Sequence, residues 1–180
     1  MRLFTAIDIQ QPVLSKLSAL LDLLRPAAKL RWSPAENLHV TTKFIGEWPE
    51  NKLGEMHNAL ATVAMPAAAI LTVRGLGWFP NPHSPRVFCV GVEDGGQLNT
   101  LAQATGQAVK RLGVPVEERP FRPHLTLARL KDRKGLDAVR RVVAGLDSTD
   151  FGSFQASSFF LYLSAAGKYA RLREFSFVQS

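Results

Sequence analysis

Two short words in the sequence bring together residues that could do chemistry at phosphorus. His39-Val40-Thr41-Thr42 and His124-Leu125-Thr126-Leu127 each read His, apolar, Thr and one further residue, and they stand close to half the chain apart. In a β-strand side chains alternate faces, so His39 shares a face with Thr41, and His124 with Thr126. Val40 and Leu125 take the other face, that of a core. Two imidazoles can divide acid and base roles near neutral pH, because an unperturbed imidazole titrates at about 6.5. Two hydroxyls can donate hydrogen bonds to phosphoryl oxygens. Set face to face, the words would make a metal-free site for in-line displacement at phosphorus. A lone strand histidine is more often structural; the repetition, with Thr at i+2 both times, points to catalysis. The nearest competitor is a metal centre. Strand ligands come as His-x-His and helix ligands as His at i and i+4; neither spacing occurs, and neither word holds an acidic residue. No metal is expected, and no Walker-type Gly-rich loop is present to bind ATP.

Strands and helices must carry these words to one cleft. Leu3 to Ile9 reads as a buried strand. Pro12 opens a helix with Val13, Leu14, Leu17, Leu20, Leu21 and Leu24 on one stripe, and Pro26 ends it. A short strand at Leu30 to Trp32 precedes the first motif strand, Leu38 to Ile45, which Gly46 closes. A second helix spans about Asn51 to Ala64, with Pro66 as its breaker. Ala69 to Phe79, with a bulge expected near Gly75 and Gly77, pairs with Arg86 to Val92 as a hairpin. A third helix runs from Gln97 to Leu112 and stops at Gly113. Pro123 and His124 begin the second motif strand, and a fourth helix follows from Leu136 to Leu146. Phe151 to Leu163 and Lys168 to Val178 form a last hairpin around Ala165-Ala166-Gly167. A helix precedes each motif, and a helix and strands follow it. That order predicts an α+β fold of two lobes related by a pseudo-two-fold, with antiparallel sheets lining a central cleft. No linker separates independent units, so residues 1–180 are expected to form a single bilobal catalytic domain.

At these residues the sequence resembles the two-histidine phosphoesterases, whose signature is a pair of His-x-Thr-x motifs. The words Arg2-Leu3-Phe4-Thr5-Ala6-Ile7-Asp8, Glu36-Asn37-Leu38-His39, Lys43-Phe44-Ile45-Gly46 and Arg119-Pro120-Phe121-Arg122-Pro123-His124 are similar to the RNA 2′,3′-cyclic phosphodiesterase branch, historically called 2′-5′ RNA ligases. The likeness runs from Arg2 to about Phe177. It implies the bilobal fold, RNA with a 2′,3′-cyclic phosphate end as substrate, and a 2′-phosphomonoester as product. It implies His39 as proton donor and His124 as acceptor, roles that two near-equivalent words leave open. Thr41 and Thr126 would bind the non-bridging oxygens. Phe44 and Arg129, each five residues after a motif histidine, are implied in nucleotide contact: Phe44 stacks on a base, and Arg129 steadies phosphate or ribose. Strand parity objects, because an odd offset points to the opposite face; the strands must bulge or end first. Lys43, with even parity, is the rival cation, and Arg122 is expected to steer phosphates. Two departures stand out. Relatives can carry an aromatic in the first strand where this chain has Thr5, and they often have a longer tip at the last hairpin.

Composition fits this reading. The chain has 180 residues, 46% hydrophobic and 21% charged, enough to bury a core. Its net charge of +7 favours a polyanionic partner such as RNA. Cys89 is the only cysteine and lies in an apolar run, so neither a disulfide nor a cysteine metal cluster is expected. No signal peptide or membrane span is legible. A cytoplasmic monomer is the expectation. Two other readings remain open. The same site could take a small cyclic nucleotide, an ADP-ribose derivative or 2′-5′ oligoadenylate, or the fold could serve as a non-catalytic RNA-binding module.

Overall fold

The computed structural model describes residues 1–65 and 67–177. Its elements in order are β1 (Arg2–Asp8), α1 (Gln11–Leu24), β2 (Arg31–Trp32), β3 (His39–Glu47), α2 (Leu53–Leu60), β4 (Ala69–Phe79), β5 (Val87–Glu93), α3 (Gln97–Lys110), β6 (His124–Arg129), α4 (Leu136–Ala144), β7 (Asp150–Ala156), β8 (Ser158–Ala165) and β9 (Lys168–Ser176). They form two antiparallel sheets, ordered β3-β1-β8-β9 and β2-β6-β5-β4-β7. The α+β, two-sheet expectation holds.

Helix α1 forms because its apolar residues recur with the helical period, and Pro12 falls in its first turn, where a missing N–H costs nothing. Val13, Leu17, Leu20, Leu21 and Leu24 are buried, each burial stabilising by about 1.5–3 kcal/mol. Leu14 of the expected stripe is only partly buried. The helix does not stop dead at Pro26; a 3₁₀ turn, Arg25–Ala27, carries the chain off it. The second helix is shorter than expected, because a 3₁₀ turn takes Glu50–Lys52 and the chain leaves the helix after Leu60. Pro66, its expected breaker, and Val178, the expected end of the last strand, lie outside the described residues. Gly46 sits inside β3 rather than after it, at φ +86°, a left-handed backbone that glycine adopts without strain.

The larger difference concerns the stretch from Phe151 to Leu163. It is two strands, not one, and they belong to different sheets. β7 pairs with β4, whereas β8 pairs with β1 and β9. The chain crosses between sheets at Ser157, whose carbonyl accepts from the Phe177 N–H at 2.8 Å. Consequently the halves of the sequence are not the lobes. The first half lends β2 and β4 to the sheet that carries His124, and the second half lends β8 and β9 to the sheet that carries His39. Helices cross over likewise: α3 lies against β3, and α1 against β7. Neither half holds a complete sheet. Between the sheets and helices lies a core that includes Phe88, Phe159, Leu17, Leu21, Met56 and Leu98. The motif strands β3 and β6 come together without pairing, one from each sheet.

Candidate active site

Each motif histidine is held by the backbone just before its own strand. His39 Nδ1 lies 2.7 Å from the Asn37 carbonyl, and His124 Nδ1 lies 2.7 Å from the Arg122 carbonyl. A carbonyl can only accept, so Nδ1 carries the hydrogen in both rings. Nε2 is then a lone pair in the neutral imidazole and an N–H donor in the imidazolium, fit for base or acid work at one atom. His39 Nε2 accepts from the Thr41 hydroxyl at 2.9 Å when the ring is neutral. The two half-sites lie near one another, because β3 and β6 come together and the charges of His124 and Arg129 reach His39. Burial is the largest influence on His39 and pushes its pKa down. Its bond to Asn37 and the charge of Asp8 oppose that push, and the positive charges of Arg129 and His124 add to it.

The parity objection to Phe44 and Arg129 is met by a bulge in each strand. Along β3, Thr41 faces Ala6 and Lys43 faces Thr5, so Thr42 has no partner on β1. Along β6, Thr126 faces Cys89 and Ala128 faces Phe88, so Leu127 has none on β5. The extra residue comes three positions after the histidine in both strands and reverses the alternation beyond it. Phe44 therefore returns to the face of His39 and Thr41, 60% exposed, opposite Phe4. Arg129 returns to the face of His124 and Thr126, opposite Val87. The same bulge removes Lys43 from the cleft. Its side chain is 9% exposed, and its ammonium donates to the Pro115 carbonyl at 2.7 Å. As the rival cation Lys43 is set aside: even parity would have kept it beside Thr41, and the bulge turns it to the helix side. Arg122 has an exposed side chain, and its carbonyl is the group that fixes His124.

Sequence reasoning missed an aromatic wall around His39. Phe4 lies 4.9 Å from the His39 ring and stacks on Tyr162 at 5.3 Å, while Tyr169 meets His39 edge-on at 5.2 Å. Thr5 itself takes no part in this wall. Thr5 is fully buried on the core side, bonded through its hydroxyl to Thr42 at 2.8 Å, and Phe4 is the cleft-facing aromatic of β1. Asp8, opposite His39 in the register, accepts from the Tyr162 hydroxyl and pairs with Arg171. Burial, then the bond to Asp8, pushes the Tyr162 phenol up to about 12, so it stays a donor. The short tip of the last hairpin is tied to the site as well: the Asn37 side-chain amide donates to the Gly167 carbonyl at 3.1 Å. Asp8, Tyr162 and Tyr169 carry no local signal, and only the strand register would have found them. Around His124 the setting is barer, with Phe79 at 5.2 Å and Gly91 opposite the histidine. Cys89 sits opposite Thr126, but burial pushes its thiol up to about 11, too high for a nucleophile. Among the described residues no three His, Cys, Asp or Glu cluster as a metal site would need.

Comparison with known proteins gives the site its context. The LigT like Phosphoesterase family model matches residues 7–89 and again 90–168, one motif in each match. An RNA 2′,3′-cyclic phosphodiesterase of Archaeoglobus fulgidus is 35% identical over 159 residues, 88% of each chain. One from Methanothermobacter thermautotrophicus is 31% identical over 87% of this chain and 85% of its own. Among solved structures, Escherichia coli LigT complexed with 3′-AMP superposes with a TM-score of 0.79 at 26% identity, covering 99% of this chain and 98% of that one.

Proposed function

The chain belongs to the LigT-like phosphoesterase family, and on that premise we propose that it hydrolyses RNA 2′,3′-cyclic phosphate ends to 2′-phosphomonoesters, without a metal ion, by paired-histidine acid and base catalysis. The observation that carries the reading is the matched tether of the two imidazoles. Each Nδ1 is committed to a carbonyl, which leaves each Nε2 to do proton transfer beside a threonine on the same strand face. The relatives named RNA 2′,3′-cyclic phosphodiesterase support the substrate.

In the proposed reaction His124, neutral, takes a proton from water at Nε2 as the oxygen attacks phosphorus. The P–O3′ bond opposite that water breaks, and O3′ takes the proton of His39 Nε2. The product is a 2′-phosphomonoester with a free 3′-hydroxyl, and the two rings have exchanged protonation states until solvent resets them. Each proton transfer is worth about 10²–10⁴ in rate. Thr41 and Thr126 donate to the non-bridging oxygens as charge gathers there. Burial of His39 favours its neutral form, so it needs help to arrive protonated. An anionic phosphodiester seated between the rings supplies that help by drawing its pKa back up. Phe44 stacks on the terminal base, Arg129 steadies the phosphate, and exposed Arg122 attracts the strand. Run backwards, the same steps would join a cyclic end to a 5′-hydroxyl through a 2′-5′ bond without ATP, as a weak side activity. The proposal extends to a monomer acting in the cytoplasm, in keeping with a lone cysteine that is buried and free; light scattering and cell fractionation test those two points.

The test is turnover of an oligoribonucleotide with a 2′,3′-cyclic phosphate end, beside a cyclic mononucleotide, in excess chelator with the product isomers separated. The reading predicts a 2′-phosphate in the presence of chelator and a higher kcat/KM for the oligonucleotide. A 3′-phosphate, or loss of turnover on chelation, would overturn the mechanism. Turnover of the mononucleotide alone would move the substrate to small cyclic nucleotides.

A further inference from the structure

The short edge strand β2 adds a cation that the motifs do not contain. Arg31 lies opposite Arg129 in the β2–β6 register, and Trp32 lies opposite Ala128. Cross-strand partners share a face, so Arg31 takes the face of Arg129, which is that of His124 and Thr126. Trp32 confirms the parity from the other side: it packs edge-on against the buried Phe88 ring at 6.3 Å and donates its indole N–H to the Ala28 carbonyl. β2 is pinned at this register, because the Ser33 hydroxyl donates to the Thr126 carbonyl at 2.8 Å and the Ser33 N–H donates to the Leu127 carbonyl at 2.8 Å.

Two like charges directly opposite one another cost stability unless something neutralises them. Arg31 and Arg129 are both exposed. Among the described residues, neither guanidinium has a carboxylate within salt-bridge distance. The arginines stand at one end of a floor of small residues, Gly91, Cys89 and Gly77, which form the cleft face of β5 and β4 behind the motif strand. Arg129 is close enough to the catalytic centre for its charge to oppose protonation of His39. Arg31 lies one strand further out, a step of about 5 Å.

We propose that Arg31 and Arg129 form a two-arginine clamp that extends the site by one phosphate: Arg129 spans from the reacting phosphate, and Arg31 binds the phosphodiester immediately 5′ of the cyclic end. The inference rests on the substrate reading given above and deepens it. The clamp makes the enzyme prefer a polymer end over a cyclic mononucleotide, which has no such phosphodiester. Guanidinium is suited to this role, because its fork binds two phosphate oxygens at once.

The experiment compares Arg31→Ala and Arg31→Lys with wild type on two substrates, an oligoribonucleotide with a 2′,3′-cyclic phosphate end and the corresponding cyclic mononucleotide. The oligonucleotide-to-mononucleotide ratio of kcat/KM is expected to fall about tenfold or more in Arg31→Ala, mainly through the oligonucleotide KM, with part of it regained in Arg31→Lys. The slope of log(kcat/KM) against log[salt] for the oligonucleotide is expected to become shallower by about 0.7, the loss of one single-strand phosphate contact. An unaltered ratio in Arg31→Ala, whether both substrates weaken together or neither does, overturns the clamp. Calorimetric binding of an oligonucleotide and a nucleoside, each with a 2′-phosphate, makes the same comparison without turnover. If wild type turned over neither substrate, the enzyme reading would fall. The clamp would then stand or fall on whether Arg31→Ala removes the oligonucleotide's binding advantage.

Discussion

His39 and His124 stand on strands with the same bulge and the same Nδ1 tether, yet the rows of side chains beside them have little in common. The row beyond the bulge in the first sheet runs Phe44, Phe4, Tyr162, Arg171. Its counterpart in the second sheet runs Arg31, Arg129, Val87, Phe79. Opposite His39 is Asp8, and opposite His124 is Gly91. Behind Thr41 come Ala6 and Phe160, and behind Thr126 come Cys89 and Gly77. One lobe is aromatic with an Asp8–Arg171 ion pair, and the other has two arginines at its edge that, among the described residues, lack a carboxylate partner, beside Val87, Phe79 and the small residues Cys89 and Gly77. The repeated backbone ties each Nδ1 to a carbonyl and leaves each Nε2 outside that tether. On the proposed reading, the unrepeated side chains give one side of the site to a base and the other to phosphates. On that reading, the division of labour between the two histidines is set by their neighbours.

The comparison can be broken most severely at the histidines themselves. His39→Ala and His124→Ala are each expected to lower kcat by about 10³ or more, with the double variant little worse than the worse single one, because the pair acts as a unit. Single-turnover rates on the cyclic-ended oligonucleotide check this, and a loss that multiplied across the two variants would contradict shared action. Thr126→Val should lower kcat by about 10²-fold. Thr41→Val should do at least as much, because Thr41 also bonds His39 Nε2. The same assay compares them.

Phe44→Ala should raise KM by about tenfold, the worth of one stacked base, with a smaller change in kcat. A substrate lacking its terminal base should be indifferent to this change.

The smallest effects are in the pH profile, and they sharpen the comparison most. Asp8 raises the pKa of His39 and Arg129 lowers it, each by its charge. If His39 is the acid, it must be protonated, and activity is lost as pH rises through its pKa. Asp8→Asn then moves the alkaline limb of kcat/KM to lower pH, and Arg129→Ala moves it to higher pH. Were His39 the base, the acidic limb would move instead. A stopped-flow pH series on the three proteins distinguishes these cases.

Much of this was legible in the sequence, and the reasons are physical. A period of two fixes which residues share a face with a motif histidine, so His39 with Thr41 and His124 with Thr126 could be read directly. Helix α1 was legible because five buried residues repeat at the helical period. The bulges were not. Thr42-Lys43 and Leu127-Ala128 contain no glycine or turn residue; strand register creates the extra residue, and register is long-range. Lys43 was misjudged for that reason. The crossing at Ser157 was hidden because Phe151, Phe154 and Ala156 on one side and Phe159 to Leu161 on the other all read as core strand. Asp8, Tyr162 and Tyr169 became visible only when β8 was found beside β1, with β9 as the strand beyond it.

The most direct test of the division between the lobes replaces the bridging O3′ of the cyclic phosphate with sulfur, a leaving group that departs without a proton. The account predicts that His39→Ala, crippled on the oxygen substrate, recovers most of its rate on the sulfur substrate, while His124→Ala stays slow on both. Recovery in His124→Ala instead would reverse the roles, and recovery in neither would contradict proton donation to O3′ by either histidine.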